Sequence, residues 1–184
     1  MAGINTAPAV VLALLILLFS ACGDSEFNNP GETREGRPDQ ESWGATIILT
    51  KEGAKQAVVQ SGHLEKYNER QYIALDDSVT VDFFDPNEVH TSLLISRRAE
   101  IDEKTDFMTA IGNVVVKSDS GVVLYTDTLH WNSDLELIYT DDPVMITTEL
   151  QDTLYGIGFE SDASLEHWKV EQPSGVTERG RDGK

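Results

Sequence analysis

Apolar positions recur along this chain at a spacing of 30 residues. Ala99 and Leu129, Ile101 and Trp131, Phe107 and Leu137, Val114 and Val144, and Val116 and Ile146 are each 30 apart and match in polarity or bulk, as do Ser96 and Thr126. A fainter copy lies 35 residues earlier, aligning Ser61 with Ser96, Leu64 with Ala99, Tyr72 with Phe107, Val79 with Val114 and Val81 with Val116. Phe159, 30 after Leu129, marks a partial later copy. A fixed period of this size means stacked copies of one small unit, each too small to bury its apolar side alone.

The unit is built of strands. Val79-Thr80-Val81, Val114-Val115-Val116 and Val144-Met145-Ile146 are short and rich in branched side chains, which fit a pleated surface and lose rotamer freedom in a helix. Turn formers precede each: Asp76-Asp77, Gly112-Asn113 and Asp141-Asp142-Pro143. Leu129-x-Trp131 and Leu135-x-Leu137 alternate with polar residues, the period of a half-buried strand. The expectation is an all-β chain of short antiparallel strands joined by tight turns. Stacked, they give one long, twisted, two-walled structure with its apolar sides inward.

Around this body the chain changes character. Residues 43–60 predict a hairpin turning at Glu52-Gly53, with Ile47 and Leu49 on one face and Ala57 and Val59 on one face of the next strand. It would form the first edge of the stack. Asp85-Pro86-Asn87 and Asp119-Ser120-Gly121 read as turns, and Gly156 and Gly158 as a bulge or close backbone approach. Residues 165–170 read as a last strand. The domain is placed at 43–173, with a polar tail at 174–184.

Ahead of it, Ala9 to Phe19 is an unbroken apolar run, too short to span a bilayer comfortably, which takes roughly 20 residues. It fits the core of a signal peptide over residues 1–21. Phe19-Ser20-Ala21-Cys22 follows, and Cys22 is the single cysteine. Small residues before a cysteine resemble the lipobox of bacterial lipoproteins, which implies cleavage after Ala21 and acylation of Cys22. An uncleaved anchor or an ordinary signal with a chance cysteine are the other readings. Acyl chains, at about 0.8 kcal/mol per buried methylene, would hold Cys22 on a membrane. Residues 22–42 are acidic and rich in Gly, Pro and Asn, a flexible linker.

Charge narrows the partners. The formal net charge is -18, so nucleic acid phosphates would be repelled, and no nucleic-acid partner is expected. One cysteine allows no disulfide within the chain. No catalytic constellation stands out, so no enzyme activity and no cofactor are expected. His63, His90, His130 and His167 lack metal-ligand spacing with one another. Asp76-Asp77 and Asp141-Asp142 occupy equivalent places before equivalent strands, where turn formation accounts for them.

Apolar stripes remain. Val79, Val81, Phe107, Val114, Val116, Leu129, Trp131, Leu137, Val144, Ile146 and Phe159 hold the same relative strand positions. They form either an ordinary packed core or the lining of a trough wide enough for a fatty chain. Sequence leaves both open.

Ala110-Ile111-Gly112-Asn113-Val114, Gly121-Val122-Val123-Leu124-Tyr125-Thr126-Asp127-Thr128-Leu129-His130-Trp131, Gly156-Ile157-Gly158-Phe159-Glu160-Ser161-Asp162 and Trp168-Lys169-Val170 together resemble the LptC family of lipopolysaccharide-export proteins. The resemblance covers roughly residues 43–175. It implies the twisted antiparallel β-jellyroll shared by the OstA/LptA-like proteins of the transport bridge. It further implies a place on the periplasmic face of the inner membrane, receipt of lipopolysaccharide from an inner-membrane ABC transporter, and delivery to the next periplasmic jellyroll, joined edge to edge. A lipid-anchored structural module that docks partners without carrying lipid is the alternative.

Overall fold

The computed structural model describes residues 36–150 and 152–177. The chain divides into two units, Met1–Gly36 and Arg37–Lys184, and the fold described is that of the second. Cys22, the signal sequence and most of the expected linker lie outside the described residues.

Eleven strands occur among these residues: β1 (Gln40–Lys51), β2 (Ala54–Tyr67), β3 (Tyr72–Asp76), β4 (Val79–Phe84), β5 (His90–Ser96), β6 (Arg98–Asp102), β7 (Phe107–Ser118), β8 (Val123–Asn132), β9 (Leu137–Thr147), β10 (Thr153–Asp162) and β11 (Trp168–Thr177). All belong to one antiparallel sheet, a β-jellyroll-like fold. β1 begins three residues ahead of the expected domain start. β11 begins three residues later than the expected last strand, so Leu165 to His167 lie in a loop instead, and it extends into the expected tail.

The sheet is folded on itself. β2 pairs with β4 through Ala57–Gln60 and with β3 through His63–Tyr67. β7 pairs with β6 through Phe107–Ile111 and with β5 through Val115–Ser118. Thus β3 and β4 are two halves of one bent strand, and so are β5 and β6. Counted this way the connectivity is a plain meander, and each bent strand crosses from one wall to the other. The first wall holds β4, β5 and the halves of β7 to β10 nearest Val116 and Ile146. The second holds β3, β6 and the halves nearest Trp131 and Phe159.

The bends explain the turn formers inside the repeat. Gly112 (φ 84°) and Asn113 (φ 53°) lie within β7, at a register shift between Ile111 and Val114. Asp141-Asp142-Pro143 lies within β9. Both were expected to separate strands. Instead the left-handed residues of β7 insert a bulge that turns the strand while hydrogen bonding resumes beyond it. At Asp77 (φ 58°) and Ser78 (φ 72°) the same bend interrupts the strand between β3 and β4. The strands are therefore longer and fewer per unit than short hairpin segments. The bends line up into a crease. There the Gly62 amide donates to the Asp77 carbonyl at 3.2 Å. A Cβ on Gly62 would collide with that carbonyl and lie 2.8 Å from the Asp77 Cβ.

Between the walls sits the core. Val79, Val81, Val114, Val116, Leu129, Trp131, Val144, Ile146 and Phe159 are all buried, none more than 4% exposed. Phe83 of the first wall meets Trp131 of the second edge-on, ring centroids 5.2 Å apart. Phe107 and Leu137 depart from the expected inward placement. In register, Met108, Trp131 and Ile138 stand side by side, and one residue along stand Phe107, Asn132 and Leu137. A one-residue step reverses the face of a strand. Met108 and Ile138 are the buried members. Phe107 lies outside, stacked on His130 at 5.6 Å and near Tyr139 at 6.2 Å.

Candidate functional site at the seam between the walls

Opposite the crease, the two walls end in loops and face each other along a seam. On the first wall these are the β1–β2 turn, the β4–β5 loop and the β7–β8 turn. On the second they are the β8–β9 turn and the β10–β11 loop. The expected hairpin turn is present, with Glu52 (φ 54°) and Gly53 (φ 88°) left-handed, as a tight two-residue connection requires. Asp85 stiffens the β4–β5 loop by accepting the Val89 and Asn87 amides, each at 2.8 Å. The Val89 bond first among these contacts holds the Asp85 carboxyl below the usual range.

Side chains bridge the seam in two places. Lys51 Nζ donates to Glu136 Oε1 at 3.0 Å and to the Asp134 carbonyl at 3.1 Å. Gln56 Nε2 donates to the Ser133 carbonyl at 3.0 Å. Further along, the buried Ser92 and Ser118 hydroxyls donate to the carbonyls of Ala163 and Ser164 in the β10–β11 loop. The two serines are register partners on β5 and β7. Chain separations of 46 to 85 residues are closed by these contacts.

A cleft of about 450 Å³ opens on the seam, bordered by residues from both bridges, within the roughly 300–1,000 Å³ usual for ligand sites. Phe83 and Trp131 belong to its lining, and both are 1% exposed. Lys51, Lys55, Glu52, Asp85, Glu136 and Asp162 surround it. Its ammonium groups are already engaged, Lys51 as above and Lys55 lying 3.7 Å over the Phe84 ring. Carboxylates outnumber cations, so the mouth suits an apolar group better than an anion.

Of the eleven residues expected to line a trough, Trp131 is the one that borders this cleft. Eight others, Val79, Val81, Val114, Val116, Leu129, Val144, Ile146 and Phe159, lie in the closed core, and Phe107 and Leu137 lie across the sheet. The sequence reading missed Phe83. Its signal was the alternation Val79-x-Val81-x-Phe83, each buried, running up to the Pro86 turn.

Among the described residues, one group could hold a metal. Donor atoms of Glu41, His63 and Glu65 lie within 4.8 Å of one another on the outer face. Spacing along the chain hid it, because Glu41 and Glu65 meet only through the β1–β2 register. His63 is already hydrogen-bonded to Glu41 at 3.0 Å and lies 3.3 Å from Asp76. These partners, Glu41 foremost, hold its pKa above the ordinary value against the opposing effect of burial.

A folded β-sheet with an apolar interior and an aromatic-floored seam defines a β-jellyroll built around a greasy core. The family model described as "Lipopolysaccharide-assembly, LptC-related" matches residues 8–172. The chain belongs to that family, and its role is in lipopolysaccharide transport as an envelope-associated periplasmic protein. A search of curated proteins found no match.

Proposed function

We propose that this protein receives lipopolysaccharide from an inner-membrane ABC transporter and hands it to the next periplasmic jellyroll, with acyl chain entering between the walls at the seam. The observation that carries this reading is the cleft over Phe83 and Trp131, continuous with the apolar core. Burial of a hydrocarbon there is driven by about 25 cal/mol per Å² removed from water. The excess of carboxylates at the mouth leaves the anionic headgroup outside. Cys22, acylated, would hold the chain on the periplasmic face of the inner membrane. The outer margins of β1 and β11, each paired on one side only, offer edges for partner strands.

A second reading has its own support. The eight core residues named above are closed to solvent, as in a docking scaffold that carries no lipid. Photo-crosslinking side chains at Phe83, Trp131 and Phe107 separate the two. A carrier gives lipopolysaccharide adducts at Phe83 and Trp131 and none at outward-facing Phe107. A scaffold gives none at any of the three.

A further inference from the structure

The β10–β11 loop, Ala163 to His167, closes the seam next to the cleft. It does so with a side chain that a surface loop would ordinarily leave in water: Leu165 is 1% exposed and joins the same buried cluster as Val116 and Leu124. Its backbone is left-handed at φ 58°, a conformation that non-glycine residues adopt only when their surroundings impose it. What imposes it is visible. Ser92 and Ser118 hold the two carbonyls before Leu165. Asp162 accepts from the Ser164 hydroxyl at 2.7 Å, the Glu166 amide at 3.0 Å and His167 Nδ1 at 2.8 Å. The Leu165 amide donates to the Asp162 carbonyl at 3.2 Å. On the preceding strand, the Ser161 hydroxyl is buried without a hydrogen-bond partner among the described residues.

We infer that this loop is a strap over a hidden acyl site, and that Leu165 occupies space taken by the far part of a hydrocarbon chain once the strap lifts. The inference rests on the carrier reading above. The cleft alone is the portion of the site left open when the strap is down. The position is consistent: Phe83 of the cleft is the register partner of Ser92, and Ser92 of Ser118, so cleft and strap are neighbours along one margin. Releasing the strap breaks side-chain-to-carbonyl bonds and leaves every strand ladder intact. Leu165 leaving the core and an alkyl chain entering it exchange like for like, so the net cost of opening is met by the cargo. Such a site exists as a minor state made dominant by its ligand.

Two measurements on the full chain with purified lipopolysaccharide test this. Hydrogen exchange on the unmodified protein should show the Leu165 and Glu166 amides exchanging about tenfold faster with lipopolysaccharide bound, while the Gly62 amide at the crease is unchanged. A photo-crosslinker at Leu124, in the same buried cluster as Leu165, should capture lipopolysaccharide, as should one at Phe83. Capture at Phe83 with an unaltered strap and none at Leu124 overturns the inference and leaves the carrier reading standing. Capture at Leu124 with a protected strap also overturns it, because the chain then enters by another route. No capture at either position overturns both. Should substitution at Leu124 unfold the protein, the exchange measurement on the unmodified chain decides alone.

Discussion

The two long margins of the folded sheet are held by different means. Along the crease the backbone itself passes from wall to wall, through Gly112-Asn113 in β7 and past Gly62 in β2. Among the described residues, the walls touch along the seam through side chains and loops: Lys51 and Gln56 on the β8–β9 turn, Ser92 and Ser118 on the β10–β11 loop. Parting the crease would break ladders on many strands at once. Parting the seam breaks a few hydrogen bonds, each worth about 0.5–1.5 kcal/mol net. A two-walled sheet that must open without unfolding can open only where it is joined this way.

Substitutions can break that contrast or sharpen it. Trp131→Ala removes the ring that joins the walls across the core and should cost about 3–5 kcal/mol, read as a lower denaturant midpoint. Retention of wild-type stability would mean that the walls do not depend on each other. Gly62→Ala places a methyl against Asp77 and should cost about 1–3 kcal/mol. That loss should appear as cooperative unfolding of the whole domain, because the crease belongs to every ladder. Ser118→Ala removes one seam bond, together with the Ser118 hydroxyl's contacts to the Ser120 hydroxyl and amide within the β7–β8 turn. It should cost about 1–2 kcal/mol, a melting shift of roughly 2–8 °C. Here hydrogen exchange should rise at Leu165 and Glu166 and stay unchanged at the crease. If Ser118→Ala unfolded the domain globally, the seam would be as structural as the crease.

The smallest effect expected is one of pH. His90 lies on the outer face of the first wall, 2.9 Å from Asp119 and 3.2 Å from Asp82. The Asp119 hydrogen bond, outweighing burial, raises its pKa above the ordinary value, and His63 moves the same way. A raised folded-state pKa gives stability that is fully present below about pH 6.5 and lost as pH rises through the folded value. The melting temperature should fall modestly between pH 6 and pH 8.5. The double variant His63→Asn with His90→Asn should flatten that slope. Asp162 moves oppositely. Burial alone would raise it, but hydrogen bonds from Ser164, His167 and the Glu166 amide hold it low. Its contribution is present above about pH 4 and lost as pH falls through the folded value, so acid should loosen the strap and spare the crease.

Much of the fold could be read from the residues, and the reason is parity. Valine and isoleucine at alternate positions marked the inner face through most of the repeat, because a strand presents every second side chain to one side. Phe107 and Leu137 misled because matching by type across 30 residues does not say which of two adjacent apolar residues points inward. In Phe107-Met108 and Leu137-Ile138 both neighbours qualify, and only the register with Trp131 decides between them. Gly112-Asn113 misled differently. The pair signals a left-handed backbone in either setting, and a bulge within a strand uses the same residues as a turn between strands.

The seam was the least legible part. Lys51 and Glu136, Ser92 and Ala163, Ser118 and Ser164 are far apart in the chain, and nothing in their types calls for these partners. The sequence alone settled that the protein is all-β, repetitive, acidic and oily inside, since those properties follow from local side-chain chemistry and its period. Folding the sheet settled which side chains meet across the gap, where the cleft lies, and that Leu165, expected to begin the last strand, sits in a loop and completes the core. Those outcomes depend on how the walls twist and align over the whole sheet, a sum of register shifts that no short stretch of residues contains.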